Sequence, residues 1–247
     1  MIRVINFSGG KTSALMTILL KPTKDDIVLF TDTGREHKKT YKFLNDFEAF
    51  EGIKVHRASY THWKSPGLTG FDALMNWKTF LPNRAKRLCT DELKVKTSRR
   101  YLRGLRVREF ESYIGFRFDE KQRIDNYKNE YVNTHPKYIL YDMGITSEMV
   151  DQYWLTKPYT LELPRILGNC DLCFLKGKDA IIRILQLHPE LADPWIADET
   201  RSKNAGFSTA TFIKDIRYER LLDIAKSQKS LFDLAPILPA YNCSCTN

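Results

Sequence analysis

Arg3-Val4-Ile5-Asn6-Phe7, Ser8-Gly9-Gly10-Lys11-Thr12-Ser13 and Ala14-Leu15-Met16-Thr17-Ile18-Leu19-Leu20 follow one another at the start of the chain and decide its fold. The first five residues are a β-rich run, and residues 12–20 are mainly helix-compatible. Between them lies a turn of small residues. Such a turn lets backbone N–H groups approach a bound group closely, and the N-terminus of the following helix favours negative charge. In a doubly wound sheet this is where phosphates bind. Gly10-Lys11-Thr12 has the ending of a Walker A loop, but that motif requires a glycine five residues earlier, where Ile5 stands. The bland alternative is an ordinary tight strand-to-helix turn.

The alternation continues downstream. Ile27-Val28-Leu29-Phe30 is a continuous apolar run suited to a strand covered on both faces. Residues 36–50 read as a helix with Tyr41, Leu44, Phe47 and Phe50 on one side. Residues 54–59 and 112–116 read as further strands. Strands separated by helices predict an α/β fold with a doubly wound, mostly parallel sheet. Residues 61–83, broken by Pro66, Gly67, Gly70 and Pro82, are expected to form a lid or insertion over the sheet's carboxyl edge. From Thr146 onward the pattern is helical, with helices expected over 146–154, 178–187 and 218–225. The expected division is an α/β domain, 1–163, and a smaller helical, cysteine-bearing C-terminal region, 164–247.

A chain of 247 residues with 43% hydrophobic residues can bury a sizeable core, which excludes wholesale disorder. Its apolar runs are too short to cross a bilayer, and the N-terminus lacks the layout of a secretory signal. A soluble, cytoplasmic protein without membrane association is expected. The formal charge of +9 is concentrated, since residues 84–128 hold 14 Lys/Arg against 7 Asp/Glu. That segment suits a polyanion such as a nucleotide, RNA or DNA, or equally a solvated helix face carrying Arg99, Arg100, Arg103 and Arg106. No aromatic–basic interleaving marks a recognised nucleic-acid fold. The five cysteines are Cys89, Cys170, Cys173, Cys243 and Cys245; an odd number argues against a disulfide framework and for metal binding or catalysis.

Three blocks, in order, resemble the PP-loop (adenine-nucleotide α-hydrolase) superfamily, and within it the PAPS-reductase-like family. Ser8–Ser13 is similar to the family's Ser-Gly-Gly-x-x-Ser loop. The resemblance implies that Ser8, Gly9, Gly10, Lys11, Thr12 and Ser13 hold the pyrophosphate end of ATP or the sulfate-bearing end of an adenylylsulfate-type nucleotide, with Ser8 and Lys11 in catalytic roles. Phe30-Thr31-Asp32-Thr33-Gly34-Arg35-Glu36 looks like the family's strand-end Asp-Thr-Gly signature. It implies that Asp32, Thr33 and Gly34 border the nucleotide and that Asp32 acts in catalysis; read alone, the same residues are a helix cap. Residues 115–123, from Gly115 through Arg117 to Arg123, resemble the Gly-x-Arg-x-x-Glu-x-x-Arg block, implying that Gly115, Arg117 and Arg123 hold phosphate groups. The alternative there is a surface cluster of Arg117, Asp119, Glu120 and Arg123.

Arg87-Leu88-Cys89-Thr90-Asp91-Glu92-Leu93-Lys94 looks like the family block in which a cysteine precedes a Leu-Lys pair. In adenylylsulfate reductases that block carries two adjacent cysteines that ligate a [4Fe-4S] cluster, and here only Cys89 remains. Cys170-Asp171-Leu172-Cys173 places two thiols at a spacing that can serve one metal from one loop. Cys89 supplies a third ligand in this reading and Cys243 a fourth. A [4Fe-4S] cluster, a structural Zn²⁺ and free redox thiols all fit the spacing. Cys89 can also be a buried small hydrophobe.

The leading expectation is ATP-dependent sulfur transfer, in which Mg²⁺ offsets the pyrophosphate charge and the acceptor is RNA or DNA. Its partners are then an adenine nucleotide, a nucleic acid and a sulfur donor. The first alternative is reduction of adenylylsulfate or its 3′-phosphorylated form by a thiol reductant. Reductases of the family use a cysteine in a C-terminal Glu-Cys-Gly-like segment; this chain keeps a terminal thiol, Cys245, but not that sequence. The second alternative is a nucleotide-binding subunit without turnover. The resemblance further implies pairing into a homodimer.

Overall fold

The structure is a computed structural model and describes residues 1–129, 131–168, 170–207 and 210–228. Five strands, β1 (Ile2–Asn6), β2 (Ile27–Asp32), β3 (His56–Ser59), β4 (Phe110–Tyr113) and β5 (Thr134–Lys137), form one sheet in the order β3-β2-β1-β4-β5. Every neighbouring pair is parallel. The expected doubly wound α/β sheet is therefore present. The chain winds from β1 outward to β2 and β3, then crosses to the other side of β1 for β4 and β5. Sheets of this kind bind ligands where that order reverses, at the carboxyl ends of the strands. Here the reversal lies between β1 and β4, and Ser8–Ser13 follows β1 directly.

Both faces of the sheet are covered, which is why its central strands are apolar without alternation. Ile5, Phe7, Val28 and Phe30 pack on Leu15 and Met16 of α1 (Lys11–Leu20), Phe43 and Phe47 of α2 (Lys38–Glu51) and a tryptophan, Trp154, described below. On the other face Val4, Ile27, Leu29 and Phe110 pack on Leu102. β5 has no strand-like apolar pattern. It is an edge strand containing Pro136, and an edge tolerates a residue that cannot donate to a ladder.

The stretch read as irregular contains α3 (Gly70–Lys78), which is seated rather than loose. Gly70 N donates to Tyr60 O at 2.8 Å and Phe71 N to Thr33 O at 2.7 Å. Gly70 has φ +58, and a Cβ there would stand 2.4 Å from Thr33 O, so only glycine lets this helix dock on the loop after β2. A π-helical segment, Cys89–Lys96, leads into α4 (Thr97–Gly104). After β4 come the short α5 (Lys121–Asp125) and α6 (Ile139–Asp142). The expected helices follow: α7 (Ser147–Leu155), which carries Trp154 and is capped by Thr146, then α8 (Lys178–Leu187) and α10 (Tyr218–Ser227). A further helix, α9 (Asp193–Asn204), lies between the last two.

Residues beyond 163 do not bury their side chains separately. Leu172, Phe174, Ile181, Ile184, Trp195, Phe212, Tyr218 and Leu221 form one cluster with Tyr60, Phe71, Leu74 and Leu93. Among the described residues no helix is long and apolar enough to cross a membrane.

Candidate functional site: the switch-point loop, a basic crevice and three thiols

The loop after β1 is drawn together by its own serines. Ser8 N donates to Ser13 Oγ at 3.0 Å, Ser8 Oγ lies 3.0 Å from Ser13 Oγ, and Ser13 Oγ donates to Gly10 O at 3.0 Å. Gly9 has φ +78, and a Cβ on it would fall 2.6 Å from Thr40 Cγ2, so the turn is closed against α2. Gly10 caps α1 without a side-chain hydrogen bond, which leaves the first turn to accept an external anion. Trp154 Nε1 donates to Lys11 O at 3.0 Å and fixes the loop from behind. The turn sits on the sheet's carboxyl rim.

Beside it, Asp32 Oδ1 accepts from Gly34 N at 2.8 Å and from the Tyr41 hydroxyl at 2.7 Å. Gly34 takes the left-handed conformation, φ +75. Asp32 thus does cap its own turn. Arg117 reaches the loop from β4's side, with Nη1 3.3 Å from Thr12 Oγ1. It also pairs with Asp119 at 3.1 Å and Glu120 at 3.3 Å, while Arg123 pairs with the other oxygen of Glu120. The cluster that looked like a surface alternative is real, and it aims Arg117 at the loop. Gly115 lies against the same turn, its Cβ direction 3.6 Å from Ser13 Cα.

A cavity of about 850 Å³ opens at the reversal point. Its floor includes Asn6, whose Nδ2 donates to Ser112 Oγ at 2.9 Å and Tyr113 O at 3.0 Å where β1 and β4 part. Among the described residues, Arg87, Lys94, Arg99, Arg123 and Lys128 line it, against one carboxylate, Asp91. Phe116, Tyr127 and Tyr131 add ring surface; Arg99 stacks over Tyr131 at 3.7 Å and Arg123 over Phe116 at 4.6 Å. Size, charge and rings suit a nucleotide-sized anion. Of these residues Arg123 was expected individually, and Arg87, Lys94, Arg99 and Lys128 fall in the basic segment 84–128 read as suited to a polyanion or a solvated helix face; Asn6 had no signal.

The structure brings Cys89, Cys170 and Cys173 to one small cavity of about 30 Å³, with Thr33, Lys94 and Trp195 also in its wall. None of the three is in a disulfide. The cysteine loop is pinned to the loop after β2: Glu36 and Cys170 form a bridge, and Asp171 N donates to Arg35 O at 3.4 Å. The Thr33 hydroxyl joins Glu36 Oε1 at 3.0 Å and Cys170 Sγ at 3.6 Å. Burial pushes the Cys170 thiol well up, Glu36 and Cys89 add to this, and Lys94 opposes it. Burial likewise raises Glu36, against Lys94 and the Thr33 hydroxyl. Three soft donors facing one cavity fit a thiolate-held metal centre by donor type. Among the described residues, however, no three metal-ligating side chains close on a single ion. Cys243 and Cys245 lie outside the described residues.

The two cavities adjoin: Arg87, Thr90 and Lys94, all at or beside the π-helical segment, line both. A parallel sheet with a glycine turn and a basic crevice at its reversal point defines a doubly wound α/β protein. The phosphoadenosine phosphosulfate reductase domain profile matches residues 2–141, and the chain belongs to that family. It is similar to the Uncharacterized nin region protein ORF290 of Escherichia phage lambda, with 29% identity over 210 residues covering 73% of this chain and 68% of that one. It is also similar to the Uncharacterized protein MJ0066 of Methanocaldococcus jannaschii, 26% identical over 204 residues, where the match spans 78% of this chain and 40% of the relative. Among solved structures, the phosphoadenylyl-sulfate (PAPS) reductase from Candida auris in its phosphate complex aligns with a TM-score of 0.44 and 18% identity, over 64% of this chain and 74% of that one.

Proposed function

We propose that the protein is an ATP-dependent sulfur-transfer enzyme whose acceptor is a nucleic acid. The observation that carries this reading is the shared wall of the basic crevice and the thiol cavity, because it brings a basic cavity of nucleotide size up against three thiols. In the proposed reaction an acceptor oxygen attacks the α-phosphorus of ATP. The bond to the β-phosphate oxygen breaks and pyrophosphate leaves. A sulfur nucleophile then attacks the carbon bearing the adenylated oxygen, the C–O bond breaks, and AMP leaves.

Ser8 to Ser13 would cradle the pyrophosphate through backbone N–H groups and Lys11, with Arg117 beside Thr12 taking charge as it develops. Asp32, oriented by Tyr41 and Gly34, would face a nucleotide-bound Mg²⁺. Glu120 is a positioning residue, since it holds both Arg117 and Arg123. Cys89, Cys170 and Cys173 would hold an iron–sulfur cluster or Zn²⁺; a cluster with an open iron supplies a place to bind sulfur.

Reductase chemistry is the second reading, favoured by the family's own name. There a thiolate attacks the sulfonate sulfur, the S–O bond to the adenosine phosphate breaks, and a second thiol releases sulfite. Incubation with ATP, a sulfide donor and unmodified RNA or DNA as acceptor and, separately, with adenylylsulfate or its 3′-phosphorylated form plus thioredoxin tests both. AMP and pyrophosphate formation, abolished in Ser13→Ala and Asp32→Ala, is expected. Sulfite release replaces the first reading by the second, and tight nucleotide binding without turnover removes both. Iron, sulfide and zinc content with an anaerobic visible spectrum identifies the metal.

A further inference from the structure

We propose that Trp63, His62 and Trp77 form a stacking platform for unpaired bases of a single-stranded nucleic acid. The proposal deepens the reading above and rests on it for the role of the bound strand, not for the binding itself. Trp63 is 80% exposed, an unusual state for the largest apolar side chain, and it stands among oriented rings. His62 and Trp77 stack with centroids 4.3 Å apart and planes 4° apart, and Tyr60 lies parallel to His62 within 5°. Trp63 leans on His62 at 5.8 Å and 31°.

His62 and Trp77 are held in place before any ligand arrives. Trp77 Nε1 donates to the Tyr60 hydroxyl at 3.1 Å, and Lys64 N donates to His62 Nδ1 at 3.2 Å. Ser65 Oγ accepts from Asn76 Nδ2 at 3.1 Å and donates to Ala73 O at 2.9 Å, tying the turn to α3. A rigid ring surface loses little entropy when a base is laid on it.

Cations stand at the rings' faces and edges, as phosphates would require. Lys64 Nζ is 5.1 Å from the Trp63 centroid and 5.0 Å from that of Trp77. Arg100 lies over Tyr60 at 5.7 Å and donates to Thr61 O at 3.1 Å, joining the platform to the exposed basic face of α4. Lys78 and Lys96 are already paired with Asp91 and Glu92, so phosphate contact falls to Lys64 and Arg100. An aromatic surface with a cationic rim matches single strands, whose bases offer free faces; duplexes hide theirs.

The test is fluorescence anisotropy of a labelled 12-nucleotide mixed-sequence strand, as RNA and as DNA, with the full chain and neither ATP nor sulfur donor. At least one strand is expected to bind more tightly than its own duplex. Trp63→Ala is expected to weaken that binding about tenfold and Trp63→Phe to recover most of it. Lys64→Ala and Arg100→Ala should weaken binding and flatten its salt dependence. ATP binding by each variant, unchanged, verifies that it is folded. No binding by either strand, preference for duplex, or full binding by folded Trp63→Ala overturns the platform. Strand binding through Trp63, with no thiolated product when ATP and a sulfide donor are added in a separate incubation, instead overturns the sulfur-transfer reading and leaves the platform standing.

Discussion

At Gly9 one hydrogen atom decides whether the turn after β1 can close against α2. Its φ of +78 and the 2.6 Å that would separate an added methyl from Thr40 Cγ2 combine backbone strain with a clash. Gly9→Ala is expected to cost about 2 kcal/mol, lowering Tm by roughly 4–8 °C, and to weaken nucleotide binding. Gly10 has ordinary extended backbone and its nearest neighbour there is Ser8 Oγ at 3.8 Å, so Gly10→Ala should leave Tm within about 2 °C. Differential scanning fluorimetry of both variants checks this. A second residue-scale effect belongs to Glu199, fully buried on α9, whose carboxylate accepts from Phe212 N at 3.3 Å and Tyr218 N at 2.9 Å. Burial outweighs those bonds and raises its pKa to about 7 from 4.5. The folded state therefore holds the proton more tightly than the unfolded chain. The stability this adds is complete below about pH 4.5 and is lost as pH rises through about 7. Tm measured from pH 4.5 to 7.5 should carry that fall, and Glu199→Gln should flatten the slope even if it lowers Tm throughout.

The element that matters most for the thiols is the turn between Leu167 and α8. Lys176 is buried, and its Nζ donates to Ile166 O at 2.7 Å and Asp171 O at 3.0 Å, closing the Cys170–Cys173 loop from within. The Tyr218 hydroxyl donates to Leu172 O in the same loop. Lys176→Met keeps the apolar stem and removes both charged hydrogen bonds, an expected cost of about 2 kcal/mol. Faster alkylation of Cys170 and Cys173 in that variant, followed by mass spectrometry, would register the loosened loop; unchanged rates would deny Lys176 this role. Strands β1 and β2 and helices α7, α8 and α10 were legible in the sequence because local pattern and burial agree there. β5 and α3 were not. The first is a polar edge strand, and the second hides its helix start at Gly70, a residue chosen for its contact with Thr33 rather than for helix propensity.

For the molecule as a whole, the shared core joins what the sequence divides at 163. Arg35, on the loop after β2, pairs with Asp72 of α3 at 2.6 Å and with buried Asp198 of α9 at 3.0 Å, its guanidinium 4.9 Å from the Phe71 ring. Cutting the chain after residue 163 would expose Tyr60, Phe71, Leu74 and Leu93 and strip Arg35 of one partner. The 1–163 fragment is expected to lack cooperative unfolding, while the full chain loses far-UV circular dichroism and near-UV signal at one temperature. Two separated transitions in the full chain, or a cooperative fragment, would show that the two parts are stable apart.

The sequence by itself determined the parallel sheet, the glycine turn after β1, the Asp-Thr-Gly turn and the family, because each is written in contiguous residues whose backbone geometry is local. Only the tertiary structure decided that Cys89 meets Cys170 and Cys173, and that Asn6, Arg87, Lys94, Arg99 and Lys128 wall one crevice. Those residues are tens of positions apart, and chain crossovers and side-chain packing, which no local pattern encodes, bring them together. The ring platform is of the same kind: His62 and Trp77 stack because α3 folds back onto Tyr60, not because of their spacing.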